Sequence, residues 1–220
     1  MSTVVVVCEG HTEQAFVTRV LKPALEAQGI FVTSSCVGGG GRYERYREDI
    51  KKWLRMKPAY DVVTSMIDYY GLPSNFPGRT PPTAAKGDPY ARIDKVEGAF
   101  AEDIADARFL PGIVLHEYEG LLFAAPEAIA HVVGQGRSRA RVEKVLEEFH
   151  GNPEAINERP EKNPAKRLKE IYASYDKRLD GPRVAERIGL TDLRARCQHF
   201  NAWLTEIERR GARRDAWVTE

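Results

Sequence analysis

The chain has 220 residues and a mass of 24.7 kDa; 42% of its residues are hydrophobic and 30% are charged. These values are typical of a globular protein with one large domain or one domain and an appendage. No apolar run approaches the roughly 18 residues of a membrane span, and an acid closely follows the first apolar run, so we expect neither a transmembrane helix nor a signal peptide. The three cysteines show no metal-binding spacing and no even framework, which favours reduced thiols and a cytoplasmic location over a disulfide scaffold or a zinc ribbon.

The charge is unevenly distributed, although its sum is only +1 at pH 7. Residues 137–220 contain 19 Lys and Arg against 15 Asp and Glu, whereas residues 1–136 contain 14 against 17. An acidic first part beside a basic last part is consistent with a metal site next to a phosphate-binding surface. Ordinary solvated helix faces produce the same asymmetry.

Strand and helix patterns alternate over the first 135 residues. Residues 4–8 form a β-branched apolar run typical of a buried parallel strand, and Thr12 is a suitable N-cap for a helix that ends at Gly29. The other predicted elements of this part are strands at 30–37, 61–68 and 112–117 and helices at 43–56, 89–107 and 120–123. This order predicts an α/β fold with a mostly parallel sheet flanked by helices.

The last third of the chain shows helical patterns only. The predicted helices cover 138–149, 164–172, 182–188 and 192–210, the last with Thr191 as its N-cap. We therefore predict an α/β core at residues 1–135 and a helical C-terminal extension, packed on that core, at residues 136–220.

Carboxylates follow three of the predicted strands. Glu9 ends the first strand with Glu13 one turn further on, Asp68 ends the third, and Glu117 and Glu119 end the fourth. The carboxyl ends of parallel strands lie along one sheet edge, where ligands bind. Carboxylates brought together there repel one another unless a cation such as Mg²⁺ or Mn²⁺ lies between them. Such a cation keeps positions free for phosphate oxygens and an attacking water, so this arrangement favours phosphodiester or phosphate chemistry. Single acids at strand ends also arise because loops are polar and acids cap helices.

Seven short motifs spread over nearly the whole chain carry a family resemblance. They are VVVVCEGHTEQAF (4–16), IDYYGLP (67–73), HEYEGLLF (116–123), INERPE (156–161), YDK (175–177), GP (181–182) and CQHFNAWL (197–204). Together they resemble the bacterial family known as domain of unknown function 4276. That family is similar to TOPRIM-type proteins, including the nuclease part of the overcoming-lysogenization-defect (OLD) nucleases, and is associated with ATPase partners in phage-defence settings.

The resemblance implies a TOPRIM-like fold and assigns roles to individual residues. The first-strand glutamate of the TOPRIM pattern corresponds to Glu9, and the second glutamate of the OLD-like variant corresponds to Glu13. The Asp-x-Asp motif corresponds to residues 68–70, so Tyr70 stands where the second aspartate is expected. This departure removes one ligand from a standard two-metal arrangement, and either Glu117 or Glu119 is a candidate to replace it.

The resemblance thus predicts an Mg²⁺ or Mn²⁺ site formed by Glu9, Asp68 and Glu119, with Glu13 binding a second ion or orienting a water. The OLD-like nucleases also use a downstream lysine near the metals. Lys166 is our candidate for this lysine, with Lys162 and Arg167 as rivals. A solvated helix face is the alternative interpretation of all three.

Basic residues also follow the glycine run at 38–41. Arg42 and Arg45, which are interleaved with tyrosines, are candidates to contact a nucleic-acid backbone, and so is Arg167. The alternative interpretation of the glycine run and the residues after it is a flexible linker followed by an exposed helix face. The run lacks the Gly-Lys-Ser/Thr ending of a nucleotide-binding loop. The loop at 71–89 is either a lid that closes over substrate or a structural connection.

The function predicted from these features is that of a metal-dependent, TOPRIM-like nuclease acting on DNA or RNA. The resemblance alone implies an ATPase partner and a phage-defence role. One alternative is a non-catalytic module that binds an ATPase partner or nucleic acid, which the missing second aspartate supports. Another is a phosphatase or nucleotidyl hydrolase acting on small substrates, because the same metal site serves that chemistry.

Overall fold

The structure, a computed structural model, describes residues 1–38, 41–79, 87–133, 138–156 and 162–212. At its centre lies a five-stranded sheet whose paired strands are all parallel. The strands are β1 (Ser2–Cys8), β2 (Ile30–Cys36), β3 (Val62–Asp68), β4 (Phe109–Leu110) and β5 (Ile113–Val114). They lie in the order β2-β1-β3-β4, and β5 pairs with the last two residues of β3.

Helices cover both faces of this sheet. They are α1 (His11–Phe16), α2 (Lys22–Glu26), α3 (Tyr43–Arg55), α4 (Pro89–Ile104), α5 (Glu119–Leu122), α6 (Pro126–Val133), α7 (Arg139–Glu148), α8 (Pro164–Ile171), α9 (Asp180–Arg196) and α10 (Gln198–Ala212). A π-helical segment (Val17–Leu21) joins α1 to α2. Among the described residues, no helix has both the length and the apolar character needed to cross a bilayer.

The side chains of β1 divide the interior into two cores. Val4, Val6 and Cys8 face one core, and Val5 and Val7 face the other, all without exposed surface. Strands buried on both faces form continuous β-branched runs, which explains this stretch of sequence. The first core is closed by α1, α2 and α5–α10, and the second by α3 and α4. The predicted α/β class with a helical C-terminal portion is confirmed. The predicted domain boundary at residue 135 lies outside the described residues and stays a prediction.

The fourth predicted strand, at 112–117, is shorter than predicted. A proline and Gly112 interrupt the strand, so β4 and β5 are separate two-residue strands. His116 then adopts a φ of 61°, which residues in a strand do not take. Glu117 therefore lies in a turn and Glu119 on α5, instead of both extending a strand.

The last two predicted helices are divided differently in the structure. Gly189 has a φ of 75° and kinks α9, and Cys197 adopts an extended conformation that ends it. The predicted helix at 192–210 is thus split between the end of α9 and α10. Thr191 lies inside α9 instead of capping a separate helix.

Parts of three features singled out in the sequence lie outside the described residues. They are positions 39–40 of the glycine run, 80–86 of the loop at 71–89, and 157–161 of the INERPE motif.

Gly112 marks the point where β4 gives way to β5, and we expect Gly112→Ala to destabilise the fold. A Cβ there would overlap the carbonyl oxygen of Ser65 and press on the indole of Trp203, so the free energy of unfolding should fall by about 1–3 kcal/mol. Urea denaturation followed by circular dichroism measures it. Gly98→Ala on the exposed face of α4 is the matched control and should stabilise by about 0.5–1 kcal/mol. Equal stabilities of the two variants would contradict this packing.

Candidate active site

The carboxyl ends of β1 and β3 bring two acids together. Glu9 follows β1 directly, and Asp68 is the last residue of the neighbouring β3. The backbone N–H of Asp68 donates to Oε2 of Glu9 at 3.1 Å. Gly71 leaves the space that this carboxylate occupies, since a Cβ on Gly71 would overlap it. The backbone thus fixes the Glu9 carboxylate at the sheet edge.

Glu13 reaches the same edge from the first turn of α1. The helix is capped by Gly10, in place of the predicted Thr12, which is buried. The N–H of Gly10 donates to Oε2 of Glu13 at 2.9 Å. This bond turns the buried Glu13 carboxylate back towards the start of the helix, where its charge acts on Glu9 and Asp68.

The start of α5 adds a third element to the site. The N–H of Tyr118 donates to Oδ1 of Asp68 at 2.9 Å, which ties β3 to this helix. Glu119 follows and has an exposed fraction of 0%. Neither of its carboxylate oxygens has a hydrogen-bond partner among the residues the structure describes. A buried carboxylate without donors is unfavourable unless a cation compensates its charge.

Lys177, between α8 and α9, is one such cation. Its Nζ lies 3.5 Å from Oε1 of Glu119. Burial acts to lower the pKa of Lys177, but the surrounding carboxylates, led by Glu119 and Asp68, raise it above its usual value. Lys177 is therefore charged and faces the acids. No helix or strand pattern singles it out in the sequence, although the YDK motif of the family resemblance contains it.

The pKa values show that these carboxylates are crowded. Burial, with help from Glu13 and Glu117, raises the pKa of Glu9 from 4.5 to about 7, although its bond to the Asp68 N–H opposes this rise. Burial, followed by the charges of Glu13 and Glu9, raises the pKa of Asp68 well above its ordinary range. Burial also raises the pKa of Glu119. Lys177 alone does not neutralise this group.

A divalent cation suits this donor set. Hard carboxylate oxygens are the ligands that Mg²⁺ and Mn²⁺ prefer, and Glu119 offers two without other partners in the described chain. The buried hydroxyls of Tyr46 and Tyr175 also lack partners among the described residues. Burial is the main cause that raises the pKa of both tyrosines, and the charges of the clustered carboxylates raise it further. These two hydroxyls therefore lie close to the carboxylates.

Glu117 is turned towards α8. Its Oε1 accepts a bond from Nδ2 of Asn163 at 2.9 Å, and its Oε2 accepts one from the N–H of Ala165 at 3.4 Å. Burial raises the pKa of Glu117, and the charges of Lys177 and Lys166 oppose that rise. Lys166, the lysine predicted from the sequence, is exposed on α8 and approaches the site at Glu117, whereas Lys177 contacts Glu119.

Tyr70 is the residue at which the sequence resemblance predicted a second aspartate. Its ring stacks on His116 with centroids 5.2 Å apart and an interplanar angle of 19°, and its N–H donates to the His116 carbonyl at 3.1 Å. Burial, together with the charge of Arg92, lowers the pKa of His116 to about 4, so this imidazole is neutral. Tyr70 and His116 therefore form an uncharged aromatic pair beside the acids.

The three predicted nucleic-acid-binding arginines differ in exposure. Arg42 and Arg45 are exposed at the start of α3, beside the carboxyl edge of the sheet, and Arg45 donates to the carbonyl of Val37 at 2.9 Å. Arg167 is instead buried, with its Nη1 2.9 Å from Oε2 of Glu148. Its guanidinium joins α8 to α7.

A second group of possible metal ligands was not foreseen from the sequence. Donor atoms of Asp94, Glu97 and His199 lie within 4.8 Å of one another. Nε2 of His199 is 3.2 Å from Oε1 of Glu97 and 3.1 Å from the carbonyl of Ile113. Glu97 also accepts the N–H of Ile113 at 2.8 Å. These hydrogen bonds tie α4, β5 and α10 together, and they explain the group without an ion.

Comparison with known proteins identifies the family. The chain belongs to domain of unknown function 4276, whose profile matches residues 8–208, so the predicted membership is confirmed. A comparison with curated proteins finds no match. The structure is similar to the C-terminal region of the Burkholderia pseudomallei OLD protein, with 15% identity, a TM-score of 0.49 and 98% of both chains covered. It is also similar to the C-terminal region of the Xanthomonas campestris pv. campestris OLD protein, with 15% identity, a TM-score of 0.48 and 98% of both chains covered.

The crowded carboxylates make the stability of the metal-free protein depend on pH. Because the pKa of Glu9 is about 7 in the folded state against 4.5 for an ordinary glutamate, the unfolded state ionises first as pH rises. The ionisation of Glu9 therefore destabilises the folded state as pH rises, and this group should lower the free energy of unfolding by about 2–3 kcal/mol between about pH 5 and pH 8. Urea denaturation in EDTA across this range measures the decrease.

Glu9→Gln is the control for this pH dependence, because it removes the titrating group while keeping its shape. Its stability should change much less over the same range, and saturating Mg²⁺ should reduce the decrease in the wild type. A wild-type stability that does not change with pH in EDTA would contradict the crowding of these acids.

Proposed function

We propose that this protein is a metal-dependent nuclease of the TOPRIM type, which hydrolyses phosphodiester bonds in DNA or RNA with Mg²⁺ or Mn²⁺. The observation that carries the proposal is the Glu119 carboxylate, fully buried and without a hydrogen-bond donor among the described residues. It lies close enough to Asp68 to raise the pKa of that residue, and it faces Lys177. Such a group suits a cation and a phosphate better than it suits a purely structural role.

In this proposal, Glu9, Asp68 and Glu119 would hold the cation. When bound, the cation supplies an activated water and polarises the phosphate. Glu13 is oriented by the Gly10 N–H and would bind a second ion or orient the attacking water. Lys177, kept cationic by the acids around it, would stabilise the negative charge that develops on the scissile phosphate.

We also propose an ATPase partner and a role in phage defence. The support is membership of the domain of unknown function 4276 family, together with the sequence resemblance, which implies ATPase partners in phage-defence settings.

A second candidate function is that of a non-catalytic module that binds an ATPase partner or nucleic acid. The stack of Tyr70 on His116, in place of the second aspartate of the TOPRIM motif, favours it. Metal-dependent cleavage by the purified chain distinguishes the two functions.

We expect the wild-type protein to cleave single- or double-stranded DNA or RNA in the presence of Mg²⁺ or Mn²⁺, and Asp68→Asn to lower the rate by at least about 100-fold because a metal ligand is lost. Gel-based assays on labelled substrates, with folding checked by circular dichroism, measure both. Well-folded wild type that cleaves none of these substrates, alone or with an added ATPase partner, would favour the interaction module.

The two lysines near the acids provide a matched pair of variants. Lys177→Ala should lower kcat by about 10²–10³-fold, since Lys177 faces the buried acids directly. Lys166→Ala removes the same charge from an exposed position nearer Glu117 and should change kcat by less than about 10-fold. A larger loss in Lys166→Ala than in Lys177→Ala would show that the sequence-based assignment of Lys166 is the better one.

A further inference from the structure

A basic groove lies between α7 and α8, and none of the buried acids lines it. It has a volume of about 340 Å³. Its charged lining residues are Arg141, Lys144, Glu148, Lys162, Arg167 and Glu170. The four cations exceed the two carboxylates, so the α7–α8 groove attracts anions.

The cations of the α7–α8 groove have two distinct roles. Nη2 of Arg141 donates to the carbonyl of Glu170 at 2.8 Å, and the Arg167 guanidinium pairs with Glu148. These arginines hold the two helices together. Lys144 and Lys162 are exposed at the groove, and their flexible ammonium groups present positive charge to solvent.

The α7–α8 groove is connected to the candidate active site through the start of α8. Glu117 of the site accepts hydrogen bonds from Asn163 and Ala165 in the first turn of α8. Lys162 of the groove precedes Asn163 directly in the chain. One helix end therefore joins the acids to the cationic groove, and an extended polyanion could contact both at once.

We propose that the α7–α8 groove binds the phosphodiester backbone of the nucleic-acid strand that passes through the active site. This inference rests on the proposed nuclease function and specifies its substrate as an extended strand, not a mononucleotide. Exposed lysines suit this role because they contact phosphates without reading the base sequence. Glu170, at the far end of α8, limits the affinity by repelling the strand.

The test is the binding of a fluorescein-labelled 20-nucleotide single strand in Ca²⁺, measured by anisotropy over a range of salt concentrations. The double variant Lys144→Ala/Lys162→Ala should bind about 10-fold more weakly at low salt, and its salt dependence, the slope of log K against log salt, should be shallower by about 1.4. Glu170→Gln should bind about 3-fold more tightly, because it removes a repelling charge. Equal melting temperatures confirm that the variants fold.

The matched control is Lys52→Ala/Lys57→Ala, which removes the same charge from two exposed lysines outside the α7–α8 groove, one in the last turn of α3 and one just after this helix. It should bind like wild type. If the groove and control variants bind equally while wild type binds and cleaves, the groove proposal is overturned and the nuclease proposal stands. Wild type that neither binds nor cleaves nucleic acid would overturn both proposals.

Discussion

The repulsion between buried carboxylates is the constraint on which the rest of the structure depends. The parallel sheet brings Glu9 and Asp68 to one edge, and the following helices add Glu13 and Glu119. Burial, and then the charges of the neighbouring carboxylates, raise the pKa values of Glu9 and Asp68, so each charge in this group raises the free energy of the others. The cation of the proposed metal centre would offset this repulsion.

The protein holds these acids in place with backbone hydrogen bonds. The N–H groups of Gly10, Asp68 and Tyr118 each donate to one carboxylate of the cluster, which fixes orientation without adding a competing side chain. The C-terminal helices then close the first core over the site, and the segment between α8 and α9 delivers Lys177. The helical portion is therefore part of the site as well as a cover for the sheet.

The α/β class could be predicted because buried parallel strands have a continuous apolar pattern, as in residues 4–8. Glu9 and Asp68 could be placed because they follow such strands directly. The positions of Glu117 and Glu119 could not be predicted, because the strand before them ends early. The chain turns at His116, whose positive φ is not indicated by any side-chain pattern. Lys177 could not be placed, since it lies in an irregular segment whose approach to Glu119 is set by tertiary packing. The boundary between α9 and α10 could not be predicted because the apolar stripe continues across Cys197. The helical backbone conformation is interrupted at this residue, which is extended.

The measurement that tests this view most directly is Mn²⁺ binding by isothermal titration calorimetry. Wild type, Glu9→Ala and Asp68→Ala would be compared, with folding checked by circular dichroism. If the carboxylates form a metal centre, wild type binds Mn²⁺ and both substitutions abolish the binding while the fold is kept. Well-folded wild type that binds no Mn²⁺ would contradict the metal centre, and equal binding by all three proteins would place the ion elsewhere.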